Sequence, residues 1–329
     1  MRSLLCFFLF CFMLSACDNS PSSGTDTVDV GTFPDRPLRV IIPFGAGGLA
    51  DVTMRLAGEE LGNILGQPVV IENRPGAGGV AATSTMLNAD ADGHTLIVLT
   101  NGTTIAMSQF PEQLEPVNSE LQAVSALAWF DLVLLTNPAS GLDTMQALLD
   151  KSETEAQGLK IGVINPGSSQ HLSAELFKAN AGINASIISY RTTPDVLSAL
   201  LRQEVDVMID AYTALKGSIE SGQALPVAVT GDVRNPAMPD VPTAVETGIE
   251  GYVVTGWNAL YTHKGVPAEI VMKLHDAIEQ VAAMPQIDQR FLDLGVEARA
   301  NSAAEMNARF EEDRARWHAV MLETGVIEQ

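Results

Sequence analysis

Leu38-Arg39-Val40-Ile41-Ile42-Pro43-Phe44-Gly45-Ala46-Gly47-Gly48-Leu49-Ala50-Asp51 is the stretch whose reading decides the fold. A short apolar run leads into glycines, and a pattern of helical period follows from Leu49 to Leu65. Short apolar runs bounded by glycine suit a strand covered on both faces, so the unit is strand, tight loop, helix. It recurs: strand 69–72, glycine-rich loop 73–79 and helix 80–88 come next, then strand 95–100 ending at Asn101-Gly102-Thr103. After a long apolar strand at 126–135 and Asn137-Pro138, the alternation restarts with strands near 160–163, 185–188 and 205–209. Another long strand is expected at 253–262, followed only by helices at 268–284, 286–294 and 302–323. The last of these opens with Ser302 and Glu305 at capping-box spacing and places Met306, Phe310, Trp317 and Val320 on one face. Alternation of this kind predicts an α/β fold, and a chain this long exceeds what one core serves. We expect two lobes, each a mostly parallel sheet flanked by helices: 33–129 with 258–329, and 130–257. The chain then crosses between lobes twice, which makes a hinge.

The N-terminus carries a separate message. One charge at Arg2 precedes an unbroken apolar run over 4–14, about half the length of a membrane-spanning helix. Leu14-Ser15-Ala16-Cys17 then has the form of a lipobox, so 1–16 is a lipoprotein signal peptide and Cys17 the lipidated first mature residue. Cys6 and Cys11 leave with the signal, which removes any disulfide framework. Asp18 resembles an inner-membrane retention signal, so the expected location is the periplasmic side of that membrane. Residues 17–32, rich in Ser, Thr, Asp and Gly, form a flexible tether of about 20 Å root-mean-square reach.

The formal charge is −21, and loss of Arg2 with the signal makes it −22. That balance argues against nucleic acid and against anionic lipid surfaces. It is compatible with an anionic ligand, because oriented amide groups act locally in a cleft. Five scattered histidines and one lipidated cysteine suggest no metal site, and no cofactor is expected.

Two loops lie between a strand's C-terminal end and a helix's N-terminus, where free amides and the helix dipole favour an anion. The first holds Phe44, Gly45, Ala46, Gly47, Gly48 and Asp51. Its Gly45-x-Gly47-x-x-Ala50 spacing formally matches a dinucleotide fingerprint, with Glu72 where a ribose-binding acid belongs. Pro43-Phe44 intrudes before the glycines and an exported protein has little access to NAD, which weakens that oxidoreductase reading. Glycines kept only for a tight turn are a further alternative. The second loop contains Gly167, Ser168, Ser169 and His171. Gly167-x-Ser169-x-His171 approaches a nucleophile elbow, which would make Ser169 the nucleophile of an exported serine hydrolase, yet His171 replaces the final glycine. Helix capping by Ser168 and Ser169, with hydroxyl donors offered to a ligand, is the plainer reading. A carboxylate between the loops would meet neutral donors, since neither loop contains Lys or Arg. Arg191, just past Tyr190, offers a guanidinium to a second acid group or is a solvated surface cation. Asp51 is a puzzle beside an anion: it steadies the helix start, orients a water or pairs with a cationic ligand group.

The chain resembles the substrate-binding proteins of tripartite tricarboxylate transporters, the Bug family, over its whole mature length. The resemblance is carried by Pro34-Asp35-Arg36-Pro37, Pro43-Phe44-x-Ala46-Gly47-Gly48-x-x-Asp51, Gln67-Pro68-Val69-Val70 and Glu72-Asn73-Arg74-Pro75-Gly76-Ala77-Gly78-Gly79. It continues in Asp92-Gly93-His94-Thr95-Leu96, Gly167-Ser168-Ser169-x-His171-Leu172, Val205-Asp206-Val207-Met208-Ile209-Asp210 and Pro239-Asp240-Val241-Pro242-Thr243. It implies a two-lobed periplasmic solute-binding fold of type II, without catalytic residues, that closes as a monomer on a small mono- or dicarboxylate. The partners it implies are transporter membrane subunits or a sensor kinase. Phe44 to Asp51 and Ser168 to His171 are then the carboxylate loops, and further pocket positions fall on Asn101 to Thr103, Tyr190 and Asp210 with Ala211. Gly45-Ala46 and Arg191-Thr192-Thr193 depart from the family pattern at the pocket's edges, which leaves the ligand's identity open.

Overall fold

The computed structural model describes residues 31–327, so the expected signal peptide 1–16, Cys17, Asp18 and nearly all of the expected tether 17–32 lie outside the described residues. Among the described residues, no helix is long and apolar enough to cross a membrane.

In the first lobe β1 (Leu38–Ile42) lies parallel between β2 (Val69–Asn73) and β3 (Thr95–Thr100). α1 (Leu49–Leu65) buries Ala50, Met54, Ala57 and Leu61 at helical spacing and stops at Gly66, whose left-handed φ of 74° turns its amide back to the Gly62 carbonyl. α2 (Val80–Leu87) follows the second loop. After β3 come two helices the apolar pattern did not reveal, α3 (Asn101–Gln109) and α4 (Pro111–Glu120). Gly102, Pro111 and Pro116 break their period, yet a capping box of Thr100 with Thr103 starts one, and Pro111 in the first turn starts the other.

β4 (Leu121–Thr136) begins five residues earlier than expected. Gln122 interrupts the apolar run, but its side-chain amide donates to the His263 carbonyl at 3.1 Å and the ladder continues through it. The second lobe adds α5 (Met145–Thr154), β5 (Leu159–Ile164), α6 (Ser169–Ala181), β6 (Ala185–Tyr190), α7 (Thr193–Leu201), β7 (Val207–Ala211), α8 (Tyr212–Glu220) and β8 (Leu225–Val229). Here β5 is parallel to both β6 and β7. The chain returns as β9 (Thr255–His263), antiparallel between β3 and β4, then runs through α9 (Ala268–Ala282), α10 (Pro285–Leu292), the two-residue β10 (Glu297–Ala298) and α11 (Ala303–Glu323).

Each lobe therefore holds a parallel set of three strands, and β4 with its neighbours β7, β8, β9 and β10 supplies the antiparallel pairing. β4 belongs to both lobes. It pairs with β9 as far as Asp131 opposite Thr255, and with β7 from Leu132 opposite Ala211. Apolar layers cover both sheet faces in each lobe, which is why the strands read as unbroken apolar runs.

α11 does not stay in the first lobe. Met306 and Phe310 pack there, whereas Trp317, Val320 and Met321 sit in the second lobe's core beside Ile161 and Phe177. Three side chains of this helix hold the second crossing: Arg309 and Arg316 donate to the carbonyls of Thr255 and Val253, and Asp313 accepts from Trp257 Nε1 at 2.7 Å.

Candidate ligand-binding site

The C-terminal ends of β1, β3, β5, β6 and β7 carry the loops expected to bind the ligand, which is where open α/β sheets bind ligands. In the first lobe, residues 44–48 are exposed, and Gly47 adopts φ 84°, a conformation that glycine enters freely. Asp51 is 3 % exposed and braces the loop. Its carboxylate accepts from the Gly47 amide at 2.9 Å, from Arg55 Nε at 3.0 Å and from Asn73 Nδ2 at 2.9 Å. The hydrogen bonds from Arg55, then Gly47 and Asn73, outweigh burial and hold the carboxyl at about 2. Asn73 also donates to the Phe44 carbonyl at 3.1 Å. Of the roles open to Asp51, the structure fills that of a brace, since its lone pairs are taken by the protein. Among the described residues, the amides of Gly48, Leu49 and Ala50 have no acceptor and stand at the positive end of α1.

Asn101 opens α3 and is 6 % exposed, and among the described residues its carboxamide has no partner. Thr103 is engaged, its hydroxyl accepting from the Thr100 amide at 3.1 Å. The loop 74–79 packs beside them as a structural turn: a Cβ on Gly78 would lie 2.9 Å from the Phe110 ring.

In the second lobe Ser168 caps α6, accepting from the His171 amide at 3.1 Å and donating to the Ile164 carbonyl at 2.6 Å. Ser169 donates to Gln170 Oε1 at 2.9 Å. Both hydroxyl protons are thus engaged inside the loop. The donors that remain are the amides of Ser169 and Gln170, which have no acceptor among the described residues, and the ring of His171. His171 Nδ1 faces the Gly167 amide at 3.3 Å and accepts from it, so Nε2 carries the proton, and burial lowers this histidine's pKa and keeps it neutral. Asp210, 2 % exposed, accepts from Gln170 Nε2 at 2.8 Å, Thr193 Oγ1 at 2.6 Å and the Ala211 amide at 2.8 Å. Like Asp51 it holds loops in place. Tyr190 is half-buried, and its carbonyl accepts from the Asn165 amide at 2.9 Å, which sets the second loop beside Arg191. Arg191 is exposed and, among the described residues, has no ion pair or hydrogen bond.

Sequence reasoning did not single out Arg55, Asn73, Thr193 or Gln109, and it included Gln170 only as part of the Ser168 to His171 loop. Arg55 was readable four residues after Asp51, whereas Asn73, Gln170 and Thr193 act across elements. Gln109, from the end of α3, reaches the second lobe: its Nε2 lies 2.3 Å from where a Cβ on Gly167 would be. Among the described residues no hydrogen bond passes directly between the 43–51 and 165–171 loops.

The two alternative chemistries lose their footing. Glu72, in the place of a ribose-binding acid, is bound by Arg39 and Arg74. Ser169 gives its proton to a carboxamide oxygen, which is no general base, so a hydrolase has no activated nucleophile there.

Fold and loops together define a two-lobed solute-binding protein. The model of the tripartite tricarboxylate transporter family receptor matches residues 53–326. The chain is 31% identical over 300 residues to Protein BugT of Bordetella pertussis, covering 91% of this chain and 92% of that one. Among solved structures it is similar to periplasmic binding protein BugD, at 28% identity and TM-score 0.71 over 90% of this chain and 100% of that one. It is also similar to MatC from Rhodopseudomonas palustris with bound malate, at 29% identity and TM-score 0.70 over 88% and 99%. A further R. palustris protein, solved with adipate, matches at 27% identity and TM-score 0.70 over 89% and 98%. The chain belongs to the tripartite tricarboxylate transporter receptor family, as the motifs read from its sequence implied.

Proposed function

We propose that this protein captures a small mono- or dicarboxylate between its lobes and passes it to tripartite tricarboxylate transporter membrane subunits or reports it to a sensor. It works without catalysis, held by lipid on Cys17 to the periplasmic side of the inner membrane. The hinge lies at Asp131 and Thr255, close to the proposed division into 33–129 with 258–329 and 130–257. One observation carries the reading: at the ends of β1 and β5 two helix starts present amides with no acceptor among the described residues, which is a pair of anion seats. The malate and adipate held by related proteins belong to the same chemical class. Arg191, exposed and unpaired among the described residues, then meets the second anionic end of a dicarboxylate.

The test is a thermal-shift panel of mono-, di- and tricarboxylates on the full chain in detergent. A ligand at a hundred times its Kd adds about 2.7 kcal/mol and raises the midpoint by several degrees. A panel in which nothing shifts removes the reading. Arg191→Ala is expected to weaken dicarboxylates about tenfold and monocarboxylates little, because only the former have a second charge to satisfy. Equal losses refute that role.

A further inference from the structure

The order of donors in the second lobe has a consequence for what it binds. Asp210 is an acceptor at every lone pair, so Gln170 must turn its Nε2 toward it, at 2.8 Å. That leaves Gln170 Oε1 facing Ser169. An amide oxygen only accepts, so the Ser169 proton is forced onto it, at 2.9 Å. Thr193, donating to the other Asp210 oxygen at 2.6 Å, and the Ala211 amide keep the acid from rotating away. The polarity of Ser169 is therefore set from a buried acid two hydrogen bonds away. Its Oγ presents lone pairs and no hydrogen to anything that approaches.

A lone-pair acceptor among carboxylate-binding amides is unfavourable against a bare carboxylate oxygen and favourable against a ligand O–H. We infer that Ser169 Oγ reads a hydroxyl on the ligand, so that the protein selects hydroxy-substituted carboxylates over plain ones of the same chain length. The inference rests on the carboxylate reading above. An ammonium group fits less well, because it needs several acceptors, and the two buried acids of these loops, Asp51 and Asp210, are already filled by protein donors.

The experiment is calorimetric titration of the full chain in detergent with matched pairs, malate against succinate and lactate against propionate. The hydroxylated member of whichever pair binds is expected to be about tenfold tighter, the worth of one well-formed hydrogen bond in a closed site. Ser169→Ala should erase that advantage, bringing the two members of the pair to within about threefold of each other, whereas Ser169→Thr, which keeps the acceptor, should retain it. Gln170→Leu releases the serine proton and should also reduce the preference, with circular dichroism reporting that each variant folds. Equal binding of both members to the wild type overturns the inference and leaves the carboxylate reading standing. So does a preference that survives Ser169→Ala, or aspartate binding tighter than malate. Failure of all carboxylates to bind removes the carboxylate reading, and this inference with it.

Discussion

Replacing Asp51 with asparagine keeps the shape of the side chain and removes its charge, which separates a brace from a ligand contact. The wild-type carboxyl is held at about 2 against an ordinary 3.8, with the Arg55 hydrogen bond the largest cause. Taken at face value, that difference corresponds to about 2 kcal/mol at neutral pH. The Arg55 side chain is 51% exposed, and solvent screening lowers the figure to about 1–2 kcal/mol. The asparagine also brings an N–H₂ against the donors of Arg55 and Asn73, so one of the three contacts must open. Asp51→Asn is expected to lower the melting midpoint at pH 7 by about 2–5 °C and to weaken carboxylate binding about tenfold as the Gly48, Leu49 and Ala50 amides lose their aim. The sign of the pH dependence follows from the depressed pKa. The stabilisation is complete above 3.8 and is lost as pH falls from 3.8 through about 2, so the gap between wild type and variant must close over that range. Differential scanning calorimetry between pH 7 and pH 2, with titration calorimetry at pH 7, measures both. Unchanged stability with binding abolished, or a gap that does not narrow in acid, refutes the bracing argument.

Asp131 gives the opposite sign where β4 passes from β9 to β7. Burial pushes its carboxyl up to about 7, with repulsion from Asp232 and Glu297 set against the Asn235 hydrogen bond and Arg299. A raised acid stabilises the fold at low pH and loses that advantage as pH rises from 3.8 through 7, so Asp131→Asn should gain about 1–2 kcal/mol at pH 8 and none at pH 4, read from thermal melts. Gly167→Ala should cost about 1–3 kcal/mol, because φ is 76° and the new methyl meets Gln109; Gln109→Ala in the same chain should recover the steric part only. Cys17→Ser should abolish metabolic labelling with palmitate and release the protein into the soluble periplasmic fraction, and retained label refutes lipidation at that residue.

The sequence by itself determined the α/β alternation, the two lobes, the family and the positions of both anion-favouring loops. All of these follow from features that are local along the chain: apolar period, glycine placement and helix starts such as Gly48 and Ser168. α3 and α4 escaped because Gly102, Pro111 and Pro116 disrupt the period that reveals a helix, while the caps that start them depend on only one or two residues. Tertiary structure alone decided the rest. That α11 enters both cores depends on where Trp317 meets lobe 2, and helical period cannot say which surface an apolar face will cover. The polarity of the site was equally hidden. Ser169 looked like a donor until Asp210, forty-one residues on in the chain, was found to orient Gln170 and through it the serine proton. Sequence names the groups that can hydrogen-bond, and the fold, by bringing distant acceptors to them, decides which way each hydrogen points.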